Sequence, residues 1–389
     1  MPQDWQPTRR KRASLALLRV AGRAAGLISG KSDRNPLPER VGSILVLELW
    51  NIGDLILAMP FLAQLRALFP GARVALVARP LASQIMEGTG LIDELIPVNV
   101  AWTPDETGYN PFSYRWRELA TLYRAMRGHV FDLGFSCRLH LREQVILALS
   151  RARRRIGFAF GSDNALLTDA IQVRNPHRHK TEDWLALLEP FGGPIEVSEP
   201  RLQVSATENA AAEAFLAARG IEPGDRVIGI HPGASLAAKR WPLERFIEVA
   251  RALVERSDTR VIAFVDPGGY GSALAEIPDV VAAKVSLREL IALIEQCDLL
   301  LCIDSGPMHI AGALGTPTVG IFGAGIDRWF SPLGEGHEFV SAEPSSASTS
   351  IRDDSAGIRS PAGISIQEVL AAVDRVLQRP REPHRFSEA

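Results

Sequence analysis

Apolar residues in this chain gather into short, nearly continuous runs separated by amphipathic stretches, and that alternation predicts strand-helix-strand units. The run from Asp298 to Asp304 is almost wholly apolar, as a parallel strand covered on both faces would be. Ser305, Gly306 and Pro307 break it, and Pro307 fits the first turn of a helix. Gly315 with Pro317 ends that helix before Thr318 to Phe322 re-enters the sheet. A second unit opens with SILVLEL from Ser43, turns at Trp50 to Gly53, and continues as a helix from Asp54. Leu55, Ala58, Met59, Leu62, Leu65 and Phe69 fall at helical spacing, with Pro60 expected to kink the helix and Arg73 to Ala78 forming the next strand. Further strands are expected at a short segment ending near Pro97, at FDLGFSC, at IGFAF, at RVIGIHPG from Arg226 and at Arg260 to Val265. Phe246, Ile247, Ala250 and Leu253 mark the helix from Leu243, Ser286 and Glu289 a capping box, and Ile364 to Leu377 a final amphipathic helix.

The pattern therefore repeats one plan twice, and the expected fold is α/β, with two Rossmann-like doubly wound domains facing a cleft. The composition shift at Gly192 to Pro200 marks the passage between them. The expected divisions are a basic amphipathic extension over 1–40, an N-terminal domain over 41–200, a C-terminal domain over 201–363, and a helix and tail over 364–389. At 389 residues and 46% hydrophobic content the chain is long enough for two such cores. A net charge of -2 argues against nucleic acid as a partner. Cys137, Cys297 and Cys302 lie in or beside apolar runs and read as buried thiols in a reducing compartment. No apolar run reaches membrane-spanning length, and no signal-peptide pattern follows the N-terminal region. Arg9, Arg10, Lys11 and Arg12 precede an amphipathic stretch suited to an anionic membrane surface, the alternative being an extra packed helix or a loose tail.

Candidate chemistry sits just past the carboxyl ends of the expected strands, where open parallel sheets bind ligands. Free amides near Ser305, Gly306 and Met308 stand at a helix N-terminus, a setting for phosphate, with His309 one turn in and Asp304 able to fix the loop. The bland alternative is that Asp304 or Ser305 caps the helix and His309 packs in the core. Asp54 reads as a helix cap or as a functional carboxylate. Lys239 and Arg240, in the loop after the first strand of the second half, read as a solvated pair or as ligands for a diphosphate. Arg151, Arg153, Arg154 and Arg155, and His177, Arg178, His179 and Lys180, form basic clusters that are either solvated faces or contacts for an anionic acceptor. A metal on His177 and His179 is rejected for want of further spaced ligands. The aromatic insertion from Trp102 to Trp116 is long enough to be functional.

The segments NIGDLILAMPFLAQLRALFP, RRIGF, HKTEDWLALLEPFG, HPGASLAAKRWP and DSGPMHIAGALGTPTVGIFG, in this order, resemble glycosyltransferase family nine, the lipopolysaccharide heptosyltransferases and their relatives. The resemblance covers most of Ser43 to Leu333 and implies the GT-B architecture, with an acceptor-binding first half and a nucleotide-sugar-binding second half. It implies Asp54 as the base for the acceptor hydroxyl and Lys239 as a diphosphate ligand. It also implies His231, Pro232, Gly233, Ala234, Ser235, Arg240, Asp304, Ser305, Gly306 and His309 around the donor, and Asn51 and Gly53 on the acceptor side. The implied reaction is inverting, metal-independent transfer of a sugar, heptose from ADP-heptose foremost, to a glycolipid or glycan at the cytoplasmic membrane face, with no resident cofactor. Three departures stand out. Glu48 occupies a position where the family usually has arginine, VDPGGYG lacks the usual acidic residue so that Asp266 becomes the stand-in for a ribose ligand, and a Ser-rich run replaces the cysteines common after Val340. Competing classes are another nucleotide sugar, an epimerase of the same fold, a degenerate binding module, and an oxidoreductase, the last disfavoured because neither first strand is followed by G-x-G-x-x-G.

Overall fold

Two six-stranded sheets, every pairing in them parallel, carry the chain in a computed structural model that describes residues 40–99, 116–138, 141–158, 166–172, 178–192, 195–323, 327–342 and 360–379. The expected extension over 1–39, most of the Trp102–Trp116 insertion, His177, the Ser-rich run after Ala342 and the tail from Pro380 lie outside these residues. The first sheet comprises β1 (Ser43–Glu48), β2 (Arg73–Ala78), β3 (Glu94–Pro97), β4 (Leu133–Ser136), β5 (Arg154–Phe158) and β6 (Asp169–Ile171), in the order β3-β2-β1-β4-β5-β6. The second comprises β7 (Arg226–His231), β8 (Thr259–Phe264), β9 (Val280–Ala283), β10 (Leu299–Ile303), β11 (Thr318–Phe322) and β12 (His337–Ser341), in the order β12-β11-β10-β7-β8-β9. Each order reverses once, between β1 and β4 and between β7 and β10, so each sheet has a crevice at the carboxyl ends of its two central strands. These are the two Rossmann-like, doubly wound units expected from the chain's repeated plan. One unit holds the described residues to Met86 together with Gly90–Val197; the other holds Glu87–Thr89 and the chain from Ser198.

Central strands are buried along all or nearly all of their length because helices cover both faces, which is why they read as unbroken apolar runs rather than alternating ones. In the second unit Ile228, Ile230, Leu299, Leu301 and Val319 pack against Phe246, Val249 and Leu253 of the helix Leu243–Val254. Val369, Ala372, Val373 and Val376 of the last helix, Ile366–Leu377, complete that same core. Trp241, fully buried, donates from its indole to the carbonyl of Ile364 at 3.0 Å and so ties the start of the last helix to the loop before the helix Leu243–Val254. The terminal helix is therefore part of the second unit's core, and residues 364–377 do not stand apart as the sequence division had them.

The expected kink at Pro60 takes the form of a break. Helices Ile52–Leu57 and Met59–Leu68 meet at Ala58, because proline has no N–H to continue the ladder. At this break the carbonyl of Leu57 accepts from the hydroxyl of Thr181, itself fully buried, at 3.0 Å. Strand β12, for which the sequence gives no expectation, pairs in parallel with β11 over His337–Ser341; it is an edge strand of largely intermediate burial, and half-covered positions leave no apolar run.

Candidate active site

In the first unit the helix starts at Ile52 with Asn51 at the N-cap, so Asp54 is the third helical residue and the carboxylate of a capping box rather than the N-cap itself. Its Oδ2 accepts the backbone N–H of Asn51 at 3.3 Å, while its Oδ1 is paired with Arg138. Arg138 follows β4, the strand beside β1, so the switch in strand order brings a cation from residue 138 to a carboxylate at residue 54. The Arg138 side chain is 18% exposed and that of Asp54 15%, which makes this a largely desolvated pair open on one side. The Arg138 guanidinium also lies over the Trp50 ring, 4.5 Å from its centroid. Glu143, from the helix Leu141–Leu149, accepts from the Trp50 indole at 2.7 Å and from the Ser136 hydroxyl at 2.7 Å. Asn51 accepts from Arg79, after β2, at 3.3 Å, and Gly53 is buried within the helix. A shallow pocket lined by Glu48, Trp50, Asn51, Leu55 and Arg79 opens at this strand end.

In the second unit β7 ends at His231, whose Nε2 lies 3.1 Å from Asp266 Oδ1, just past β8. Pro232, Gly233 and Ala234 are buried and Ser235 is exposed. The short turn Ala237–Lys239 then brings Lys239 Nζ to Asp304 Oδ2 at 2.6 Å, at the end of β10, the strand beside β7. Asp304 is 5% exposed and Lys239 23%, so the lysine faces outward from a buried anchor. Ser305 takes the N-cap position of the helix Gly306–Leu314, but its hydroxyl makes no capping bond and is buried without a partner. Neither bland alternative for that loop holds as stated: Asp304 spends itself on Lys239, and Ser305 leaves the first amides of the helix uncapped by its side chain. His309 is 5% exposed on the inner side of the first helical turn.

Arg240 is turned to the loop's own backbone. Its Nε and Nη2 donate to the Ala234 carbonyl at 3.0 and 2.8 Å, and its guanidinium stacks 4.3 Å from the Tyr270 ring centroid. Asp266 likewise is engaged by His231. The basic clusters of the first unit are also structural: Arg154 pairs with Asp169, Arg155 donates to the carbonyls of Leu166 and Ala152, and Arg178 and Lys180 both pair with Asp183. Arg151 and Arg153 of the same clusters are exposed, as a solvated face would have them. His179 caps the helix Lys180–Ala186 through Nδ1, which accepts from Thr181 N–H at 3.3 Å. Sequence reasoning missed Trp50, Arg138 and Glu143, although Arg138 directly follows a strand that had been expected.

The sequence profile of glycosyltransferase family 9 (heptosyltransferase) matches residues 119–357. The chain belongs to this family. It is thus a glycosyltransferase, and the likeness extends over most of its length. A lipopolysaccharide core heptosyltransferase of Haemophilus influenzae is 24% identical over 72% of this chain and 78% of its own. Lipopolysaccharide heptosyltransferase 2 of Salmonella typhimurium is 25% identical over 75% of this chain and 85% of its own. Among solved structures, a family 9 glycosyltransferase from Veillonella parvula superposes with a TM-score of 0.72 at 23% identity, covering 89% of this chain and 99% of its own. The E. coli ADP-heptose heptosyltransferase II gives 0.65 at 20% identity, covering 86% and 98%. Both support the same pair of doubly wound sheets.

Proposed function

We propose that this glycosyltransferase moves a heptosyl group from ADP-heptose to a lipopolysaccharide-type acceptor, with inversion at the anomeric carbon and without a metal ion. The observation that carries the reading is Asp54, a largely buried carboxylate at the first sheet's switch point, aimed by Arg138 and by the Asn51 amide. The relatives' activities support the sugar and the acceptor class. In this reading the acceptor hydroxyl attacks the anomeric carbon as the bond to the diphosphate breaks, and its proton passes to Asp54. The departing diphosphate gains charge, which the uncapped amides of the helix Gly306–Leu314 and the outward-facing Lys239 offset. Lys239 has three donors and gives one to Asp304, so it is held in place while still able to meet an oxyanion. Fixed cations and amides then do the work a divalent ion would otherwise do. His231 to Ser235 form a wall of the donor pocket, with Arg240 as the residue that shapes that wall.

The first unit, 41–200, takes the acceptor and the second, 201–363, the donor. No helix of the described residues is long and apolar enough to cross a membrane. We place the enzyme at the cytoplasmic membrane face, with Arg9 to Arg12 on anionic lipid. The test is a panel of ADP-heptose, UDP-sugars and GDP-sugars with acceptor glycolipid, on wild type, Asp54→Asn and Lys239→Met. Asp54→Asn should bind ADP-heptose normally and lose at least ~100-fold in turnover; Lys239→Met should weaken donor binding and turnover together. Full turnover by Asp54→Asn would remove the base assignment, and selective use of a UDP- or GDP-sugar would remove the heptose.

A further inference from the structure

The first unit sets three carboxylates, Glu48, Asp54 and Glu143, around one guanidinium, Arg138. Their hydrogen bonding is unequal. Asp54 has Arg138 on one oxygen and the Asn51 amide on the other. Glu143 receives the Trp50 indole and the Ser136 hydroxyl, one on each oxygen. Glu48 receives only the Trp50 backbone N–H, at 3.0 Å on Oε1; its Oε2 is buried and has no hydrogen-bond partner, and the residue is 3% exposed. One cation cannot neutralise three desolvated anions, and a buried ionised oxygen without a donor is the costliest of the set. The cluster therefore sheds charge by keeping a proton, and it keeps it where the anion would be served least.

We infer that Glu48 holds this proton and acts as a positioning residue for Asp54, because a neutral Glu48 leaves Arg138 committed to the Asp54 carboxylate. The inference rests on the reading of Asp54 as the base. Burial, joined by the charges of Asp54 and Glu143 and opposed by Arg138, pushes the Glu48 carboxyl up to about 8. Every packed element contributes a group to this balance: Trp50 N–H after β1, Asp54 from the helix Ile52–Leu57, Arg138 and the Cys137 thiol after β4, and Glu143 from the helix Leu141–Leu149. Burial pushes Cys137 far up, so it stays a neutral thiol. Arg79, after β2, lines the same pocket with Glu48 but donates to Asn51. When Glu48 ionises, Arg138 faces a further anion besides Asp54 and Glu143, its guanidinium is drawn away from Asp54, and the base loses its fixed aim. A general base displaced by about 1 Å can lose about 100-fold in rate.

The experiment follows kcat and KM from about pH 6 to about pH 10 in wild type and Glu48→Gln, which has no proton to lose. Wild-type kcat should fall about tenfold per unit above about pH 8, with donor KM little changed, and the ratio of rates on either side of that point should be flat in Glu48→Gln. In parallel, an infrared titration of the wild type should show a protonated-carboxyl C=O stretch that disappears near pH 8 and is missing from Glu48→Gln. An alkaline limb that survives in the variant, or a carboxyl stretch that vanishes in the ordinary carboxylate range, overturns the inference. Turnover by Asp54→Asn would sink the base assignment instead, and the infrared titration, which needs no activity, would still decide where the proton sits. Should Glu48→Gln fail to fold, Glu143→Gln takes its place, since burial raises the Glu143 carboxyl as well: the stretch that disappears near pH 8 should persist in that variant, and its absence there overturns the inference.

Discussion

Adding one methyl group at Gly233 tests whether the wall of the proposed donor pocket depends on the His231–Asp266 pair. An ideal Cβ there would stand 2.5 Å from Asp266 Cγ and 2.8 Å from its Oδ1, well inside van der Waals contact. Asp266 has a short side chain, 28% exposed, so it can escape only by rotating its carboxylate away from His231. That forfeits a hydrogen bond to a charged group, worth about 1.5–3 kcal/mol, and leaves His231, 6% exposed and already carrying an unpartnered Nδ1, with a second unsatisfied nitrogen. Against this, alanine lowers the entropy of the unfolded chain and returns about 0.4–1 kcal/mol, since the backbone at Gly233 is not in the left-handed region. The net expectation for Gly233→Ala is a loss of about 1–3 kcal/mol, or roughly 3–10 °C in the melting of the second unit. Donor affinity should fall with it. The decisive comparison is the same substitution in an Asp266→Ala background, where the obstacle is gone and the cost should vanish. Equal melting shifts in the two backgrounds, or none in either, would refute the reasoning.

Two further outcomes are expected. Thr181→Val keeps the shape but orphans the Leu57 carbonyl at the helix break, and should cost about 1–3 kcal/mol by denaturant titration; an unchanged midpoint would show that another donor satisfies that carbonyl. Glu208 is held down to about 2, first by the hydrogen bond from Arg288 and then by the Ser205 amide and hydroxyl, against burial. A depressed carboxyl stabilises the fold above its unfolded value and loses that contribution as pH falls through its folded one, so the acid limb of stability between about pH 4.5 and about pH 2 should flatten in Glu208→Gln by about 1 kcal/mol once solvent screening of this partly exposed pair is allowed for. An identical acid limb in the variant would assign that slope to other groups.

How much of this protein its sequence determined follows from how local each property is. The central strands, the helix after Ser305, the capping box at Ser286 and Glu289 and the break near Pro60 were legible because a doubly covered strand or a proline leaves its mark within a few residues. The repeated plan, and through the ordered motifs the family, were legible for the same reason. The edge strand β12 was not, because its intermediate burial erases the apolar run that identifies a strand. Nor was the partnership of charges. Arg154, Arg155, Arg178 and Lys180 read alike as surface basic residues until the sheet set Asp169, two backbone carbonyls and Asp183 beside them. Asp54 caps its helix through the Asn51 amide, as carboxylates at helix starts often do; what sets it apart from an ordinary cap is Arg138, which only the β1–β4 pairing brings there. Local patterns follow from the covalent neighbours of each residue, whereas the charge state of Glu48 and the aim of Asp54 depend on desolvation and on groups up to ninety-odd positions away. Those are properties of the packed unit, and only the tertiary structure decides them.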